Sequence, residues 1–253
     1  MNEFDDVVFF SPGSVIQRSL SILLGELPVF LLLTAMVYAP FIGLSVAGSM
    51  LDSSSMATSL VASGYLISLV CQPLATAALI HGVFRRLRGE RASLGDSLQT
   101  MTSRLFPVIG FSLLSSLIIG IGYMLCIIPG IIMSCLMYVG LPAVVVENRG
   151  PIEAIRRSDG LTEGFRWGIF GLLFVIGLSQ LVLQWGLTMA LGMLDFSTLF
   201  SDVMVTVWVS QIMLYILQIA TTALSGVFVA VAYHDLRVSR DGIDSGDLVS
   251  VFD

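Results

Sequence analysis

The sequence predicts an all-α membrane protein: a bundle of about six transmembrane helices carrying three cytoplasmic interfacial amphipathic helices. Three observations predict it. Hydrophobic residues make up 56% of the 253-residue chain and charged residues only 12%, and the mean hydropathy of +0.93 lies outside the range of ordinary soluble domains. The charges are gathered in a few clusters, separated by uncharged runs that meet or exceed the ~20 apolar residues needed to cross hydrocarbon. Every fixed cation is an arginine, because lysine is absent, and the arginines partition between the loops in a way that fits an even number of crossings.

The elements follow in order. Ser11-Pro12-Gly13-Ser14 reads as a turn and helix cap. Ile16, Leu20, Leu23 and Leu27 then recur at helical spacing among Gln17, Arg18 and Ser21, which predicts an interfacial amphipathic helix over 14–27. A first span covers 27–50, with Pro28 at its start and Pro40 as a kink. A Ser-rich loop over 51–58, with Asp52 as its one charge, leads to a second span over 60–84. That span is interrupted at Gln72-Pro73 and ends on Arg85, Arg86, Arg88 and Arg91.

Leu94, Leu98, Met101 and Leu105 form one stripe at spacings of four, three and four, so 93–105 is the second amphipathic helix. No charge appears between Leu105 and Val146, about twice the helix needed for one crossing. Pro129-Gly130 is where this stretch is expected to reverse, giving spans over 106–126 and 131–146. A third amphipathic helix, 151–163, carries Glu153 four residues before Arg157, a favourable pairing distance. The fifth span covers 165–194, a loop 195–202, and the sixth span 203–233. Residues 1–240 thus read as one integral membrane domain, and 241–253 as an acidic disordered tail. Three times an amphipathic helix feeds a pair of spans, and Leu27-Pro28-Val29 echoes Phe106-Pro107-Val108, so a three-fold internal repeat is one reading of the pattern.

The arginines fall in the N-terminal helix, the loops after spans two and four, and the C-terminal segment, whereas the loops after spans one, three and five hold none. Six spans with both termini cytoplasmic satisfy this partition, and five or seven would not. The acidic start, Met1–Asp6, lacks the basic region of a secretory signal, so no cleaved leader is expected. The net charge of −6 is unevenly spread, with Asp and Glu dominating the two tails and arginine the inner loops. Without a basic stripe interleaved with aromatics, nucleic acid is not expected as a partner. Cys71, Cys126 and Cys135 all sit in apolar segments and read as buried free thiols. They offer no metal site, and no cofactor is expected. Trp167, Trp208 and Tyr233 fit an interfacial aromatic belt, while Trp185 lies deep in span five and reads as a packing residue.

Several segments carry a resemblance. Residues 78–89 (Ala-Leu-Ile-His-Gly-Val-Phe-Arg-Arg-Leu-Arg-Gly), Ile128-Pro129-Gly130-Ile131-Ile132, residues 144–158 with Glu147-Asn148-Arg149-Gly150-Pro151 at their centre, and Leu161-Thr162-Glu163-Gly164 resemble the bacterial YciC-like family of multi-pass membrane proteins. That group is related to the membrane domain fused to some glycerophosphoryl diester phosphodiesterases. Ala232-Tyr233-His234-Asp235-Leu236-Arg237 is similar to its closing motif, with His234 where the pattern has an aromatic. The resemblance implies a six-span bundle and little more. The catalytic barrel of the fused relatives is not in this chain, so no hydrolase chemistry carries over.

Three sets of residues are candidates for function. Arg85, Arg86, Arg88, Arg91, Arg156 and Arg157 could grip anionic lipid headgroups, or act as topology determinants alone. Gln72, Gln180, Gln184, Gln211 and Gln218 are polar groups at membrane depth, which hydrocarbon penalises unless they are partnered. They are expected to bridge helices by direct hydrogen bonds, the alternative being a polar cavity for a headgroup or small solute. Glu147 ends a span where the helix dipole disfavours a negative charge, and should form a structural ion pair with Arg149, Arg156 or Arg157. Gly160, Gly164 and Gly168, four apart, suggest close helix packing. His81 and His234 lie at the inner interface without the companions of a metal centre.

No Ser/His, Asp/Asp or His-x-x-x-His arrangement appears at membrane depth, so an enzyme is not expected. The expected function is a non-enzymatic inner-membrane protein engaging membrane lipids, partner proteins or a second copy of itself as a homo-oligomer, in envelope maintenance. The alternative is a transporter or channel for a small solute or lipid, with its polar site between spans two, five and six.

Overall fold

The computed structural model describes residues 11–49, 54–90, 93–193 and 203–241. The described residues are helical throughout, without strands: α1 (Pro12–Gly25), α2 (Leu27–Ser49), α3 (Ser54–Leu87), α4 (Leu94–Ser103), α5 (Leu105–Leu125), α6 (Ile127–Met137), α7 (Gly140–Val146), α8 (Pro151–Thr162), α9 (Arg166–Met193) and α10 (Val203–Asp241). Among them, 27–47, 105–125, 127–146, 166–191 and 209–241 are long and apolar enough to cross a membrane. The remaining expected span, 60–84, falls on α3, whose 34 residues give about 50 Å of helix, more than one crossing needs. The chain is an all-α membrane protein. The expected loop 195–202, Asp52, Arg91 and the tail beyond 241 lie outside the described residues.

The chain runs out and back three times. Arg86, at the end of α3, meets Glu26, at the start of α2, across 3.7 Å, so α3 returns along α2. Tyr233 of α10 and Glu147 at the end of α7 are hydrogen-bonded at 2.6 Å, which brings the second and third returns to the same level. Each outward span is preceded by a short helix broken from it by one to three residues: Glu26, Arg104, and 163–165. Local chemistry sets these short helices. The Ser11 hydroxyl caps α1 by accepting the N–H of Ser14, and the Ser93 hydroxyl caps α4 by accepting the N–H of Asp96. At α8, extended Gly150 delivers Pro151 to the first helical position, where a missing N–H costs nothing.

Several expectations are corrected. The reversal after α5 is the single extended residue Cys126, and Pro129 sits in the first turn of α6, where proline is tolerated. Gly130 serves packing instead, since a Cβ there would fall 2.5 Å from the Tyr123 ring. The returning span is split at Tyr138-Val139 into α6 and α7. Gly164 takes φ +86°, a left-handed turn between α8 and α9, and neither it nor Gly160 has a neighbour within 4 Å of a virtual Cβ. Gly164 therefore makes the joint, Gly160 is an ordinary position within α8, and neither forms a packing face. Residues 54–58 begin a helix rather than a loop, and α10 continues through Asp241 because that carboxylate is anchored by Arg157.

Packing is uneven along the bundle. Ala75 to Ile80, Ala143 to Val145 and Val227 to Leu236 are largely buried, with Phe30, Leu33, Val83 and Val108 among them. These residues belong to the arginine-bearing half. At the other end Leu117, Met124, Leu125 and Ile127 of the α5–α6 hairpin, and Leu181 to Leu183 of α9, are exposed. Such a continuous apolar exterior suits lipid tails, which are as apolar as leucine itself. Cys126 is exposed with them, contrary to expectation, while Cys71 and Cys135 are buried. Trp185 also faces outward instead of packing, and Tyr233 is buried instead of joining a belt. The side chain of Trp208 lies outside the described residues.

Candidate functional site

The arginine end is tied together by ion pairs. Glu147 follows α7 in a tight turn where Asn148 takes φ 54°, a conformation asparagine accepts more readily than most residues. Its carboxylate accepts from Arg149 and, at 2.9 Å, from Arg157, and from the Tyr233 hydroxyl at 2.6 Å. The expected pair with Arg149 is thus present, within a larger knot. Arg157 also donates to Asp241, so it does not pair with Glu153, which is exposed. Burial pushes the Glu147 carboxyl up, but the Tyr233 hydroxyl and Arg157 more than offset it and hold it below the ordinary range. Burial pulls the Arg157 guanidinium down, and its bonds to Asp241 and Glu147 carry it above its usual value.

A second knot was not expected from the sequence. Asp235, fully buried on α10, accepts from Arg18 of α1 at 2.9 Å and lies 3.3 Å from His234 Nδ1. It fixes the first short helix against the last long one. Arg240 reaches back to Glu163 at 2.9 Å and to the Gly160 carbonyl at 3.1 Å. The first knot partners both oxygens of the Glu147 carboxylate, whereas buried Asp235 is partnered, among the described residues, through Oδ1 alone.

Beside these knots is a cavity of about 310 Å³ between α3, α4 and α7, into which His81, Arg85, Arg88, Thr100, Ser103 and Arg104 project. Arg85 also bonds Glu90 at 2.9 Å and Asp96, and His81 Nδ1 lies 3.3 Å from the Ser97 hydroxyl. Three guanidiniums over one void, with Thr100 on its wall, are chemically suited to a phosphate-like anion, whereas the Ser103 hydroxyl donates to the Thr100 carbonyl. Of the expected headgroup residues, Arg85 and Arg88 line this cavity. Arg86 turns to Glu26, Arg157 joins the Glu147 knot, exposed Arg156 stands apart, and Arg91 lies outside the described residues. Sequence reasoning missed Arg104, Thr100 and Ser103. Arg104 directly follows α4, between the stripe residues Met101 and Leu105, the one signal that could have found it.

The glutamines converge differently from expectation. Gln72 of α3, Gln180 and Gln184 of α9 and Gln218 of α10 line one cavity of about 300 Å³, with Thr221 and Ser225 on its wall. Gln211 is elsewhere and donates to Tyr215 on its own helix at 3.2 Å. Among the described residues no hydrogen bond joins the four amide side chains to a neighbouring helix, so the expected direct bridges are not made. The reason is spacing: Gly177 presents no side chain, and the hydroxyls of Thr221 and Ser225 fold back onto backbone carbonyls of α10. A gap is left where bridges would form.

No cluster of three or more His, Cys, Asp or Glu that could hold a metal occurs among the described residues. No curated protein and no solved structure matches the chain. Residues 107–236 match the family model described as "Domain of unknown function (DUF7847)". The match runs from the start of α5 into the last turns of α10, and so takes in Glu147, Arg157, Tyr233 and the glutamines of α9 and α10. It covers just over half of the 253 residues, and the chain belongs to this family.

Proposed function

We propose that the protein is a non-enzymatic lipid-engaging component of a bacterial inner membrane, with both termini cytoplasmic, that seats anionic headgroups in the cavity between α3, α4 and α7. The convergence of Arg85, Arg88 and Arg104 there carries the reading. A negative charge at this level meets guanidiniums, and each basic group near a membrane surface contributes ~1 kcal/mol toward anionic lipid. The arginine partition and the motif residues similar to the YciC-like family support the location and orientation. A role in envelope maintenance, through lipids or through partner proteins, belongs to the same proposal.

Mass spectrometry of lipids retained by the detergent-extracted chain tests it. Enrichment of phosphatidylglycerol or cardiolipin over phosphatidylethanolamine, reduced in Arg88→Gln and Arg104→Gln, is expected. Retention without headgroup preference would remove the proposal. A second reading, a carrier for a small uncharged solute or lipid, draws on the glutamine cavity between α3, α9 and α10. Against it, no ionisable side chain lines that cavity to couple movement to protons.

A further inference from the structure

The glutamine cavity lies far from the arginine pocket. Gln72 precedes Arg85 by thirteen residues, and Gln180 follows Arg166 by fourteen, so about 20 Å of helix separates each from the arginine level. Gln218 precedes Arg237 by nineteen residues, or about 28 Å. In a hydrocarbon layer of ~30 Å this places the cavity in the half remote from the arginines.

Its chemistry is specific. Four primary amides supply both N–H donors and carbonyl acceptors, and their lining holds no charge. Thr221 and Ser225 spend their protons on backbone carbonyls, so they add acceptors only. Gln72 and Gln184 are exposed, so the cavity opens at the bundle surface. Amides left bare against lipid tails are penalised, because hydrocarbon offers no hydrogen bonds. The occupant must therefore bring donors and acceptors of its own. An ion would meet no counter-charge at this depth, which excludes the anionic groups that suit the other pocket. The volume of about 300 Å³ is at the small end of ligand sites and equals roughly ten waters.

We infer that this cavity binds an uncharged, hydroxyl-rich group, as a neutral sugar-type lipid headgroup or a free polyol offers, independently of the arginine pocket. Gln180 and Gln184, one turn apart on α9, share the void with Gln72 and Gln218, so one ring-sized group can reach all three helices.

The full chain in phosphatidylcholine nanodiscs tests this with two probes: monoglucosyl diacylglycerol in the bilayer, and free glucose in solution. Thermal stability and hydrogen exchange over 177–184 and 218–225 are read with each. Protection by the glycolipid alone assigns a lipid headgroup, and protection by free glucose assigns a soluble polyol. In either case Gln184→Leu and Gln218→Leu should weaken the response about tenfold, while Gln211→Leu and Arg104→Gln leave it unchanged. Both leucine variants should melt no lower than wild type without probe, which separates lost binding from lost folding. Protection by neither probe overturns the inference. So does a Gln184→Cys variant that cross-links to a second copy, because the amides would then serve self-association.

Discussion

Tyr233 donates its hydroxyl to Glu147 Oε1 across 2.6 Å, joining the last turns of α10 to the end of α7. Eighty-six residues separate the two in sequence. The bond makes the C-terminal part of a 39-residue helix part of the arginine-end knot instead of a free extension.

Tyr233→Phe keeps the ring packed on Phe84 and removes that one bond. A hydrogen bond to a charged group contributes about 1.5–3 kcal/mol, so the melting temperature in detergent should fall measurably. Unchanged melting would mean that Arg157 and Arg149 already satisfy the carboxylate.

The same carboxyl gives stability a pH dependence. Its folded-state pKa is lowered, so its ionised form stabilises the fold at every pH above the unfolded value of about 4.3. That contribution is lost as pH falls through the folded-state value. Melting temperature against pH should therefore drop on the acid side, and Glu147→Gln should start lower at neutral pH and show a shallower acid drop.

Two glycines should respond oppositely to alanine. At Gly140 a Cβ would lie 2.3 Å from the Phe111 ring, so Gly140→Ala forces a buried aromatic to shift and should cost about 1–3 kcal/mol. At Gly160 nothing lies within 4 Å, and Gly160→Ala on α8 should be neutral or stabilise by about 0.5–1 kcal/mol. Chemical denaturation of both variants checks the contrast.

Cysteine labelling reads the topology. Cys126 is exposed at the reversal between α5 and α6, and Cys71 and Cys135 are buried. A membrane-impermeant maleimide applied to intact cells should therefore modify one thiol, Cys126. Labelling only after permeabilisation would place that reversal, and not the arginines, inside.

How much of this could be read from the sequence depended on the range of the interactions. The spans and short helices were legible because apolar runs, apolar stripes and the cap at Ser11 act within one or two turns. The reversal at Cys126 was misplaced because Pro129 is compatible with a first helical turn, so proline marks a boundary only to within a few residues. Glu147 was legible as a charge needing a partner, and Arg149 as one of its partners. Tyr233 was not, since nothing local marks a hydroxyl that bonds a carboxylate eighty-six residues away. Gln72, Gln180, Gln184 and Gln218 were recognisable as polar groups in lipid. Whether they bridge or line a gap depends on the separation of α3, α9 and α10, which no single segment encodes. Arg18 and Asp235 illustrate the same limit: each looks like an ordinary interfacial charge until α1 is packed on α10.

The most direct test of the central claim is a titration of the full chain with phosphatidylglycerol against phosphatidylcholine, followed by native mass spectrometry of bound lipid. Wild type should retain phosphatidylglycerol preferentially, and Arg88→Gln and Arg104→Gln should each bind it about fivefold more weakly, the equivalent of ~1 kcal/mol per charge. Arg156→Gln, outside the cavity, should bind as wild type does. Equal retention of the two lipids, or equal losses in all three variants, would contradict a headgroup site between α3, α4 and α7.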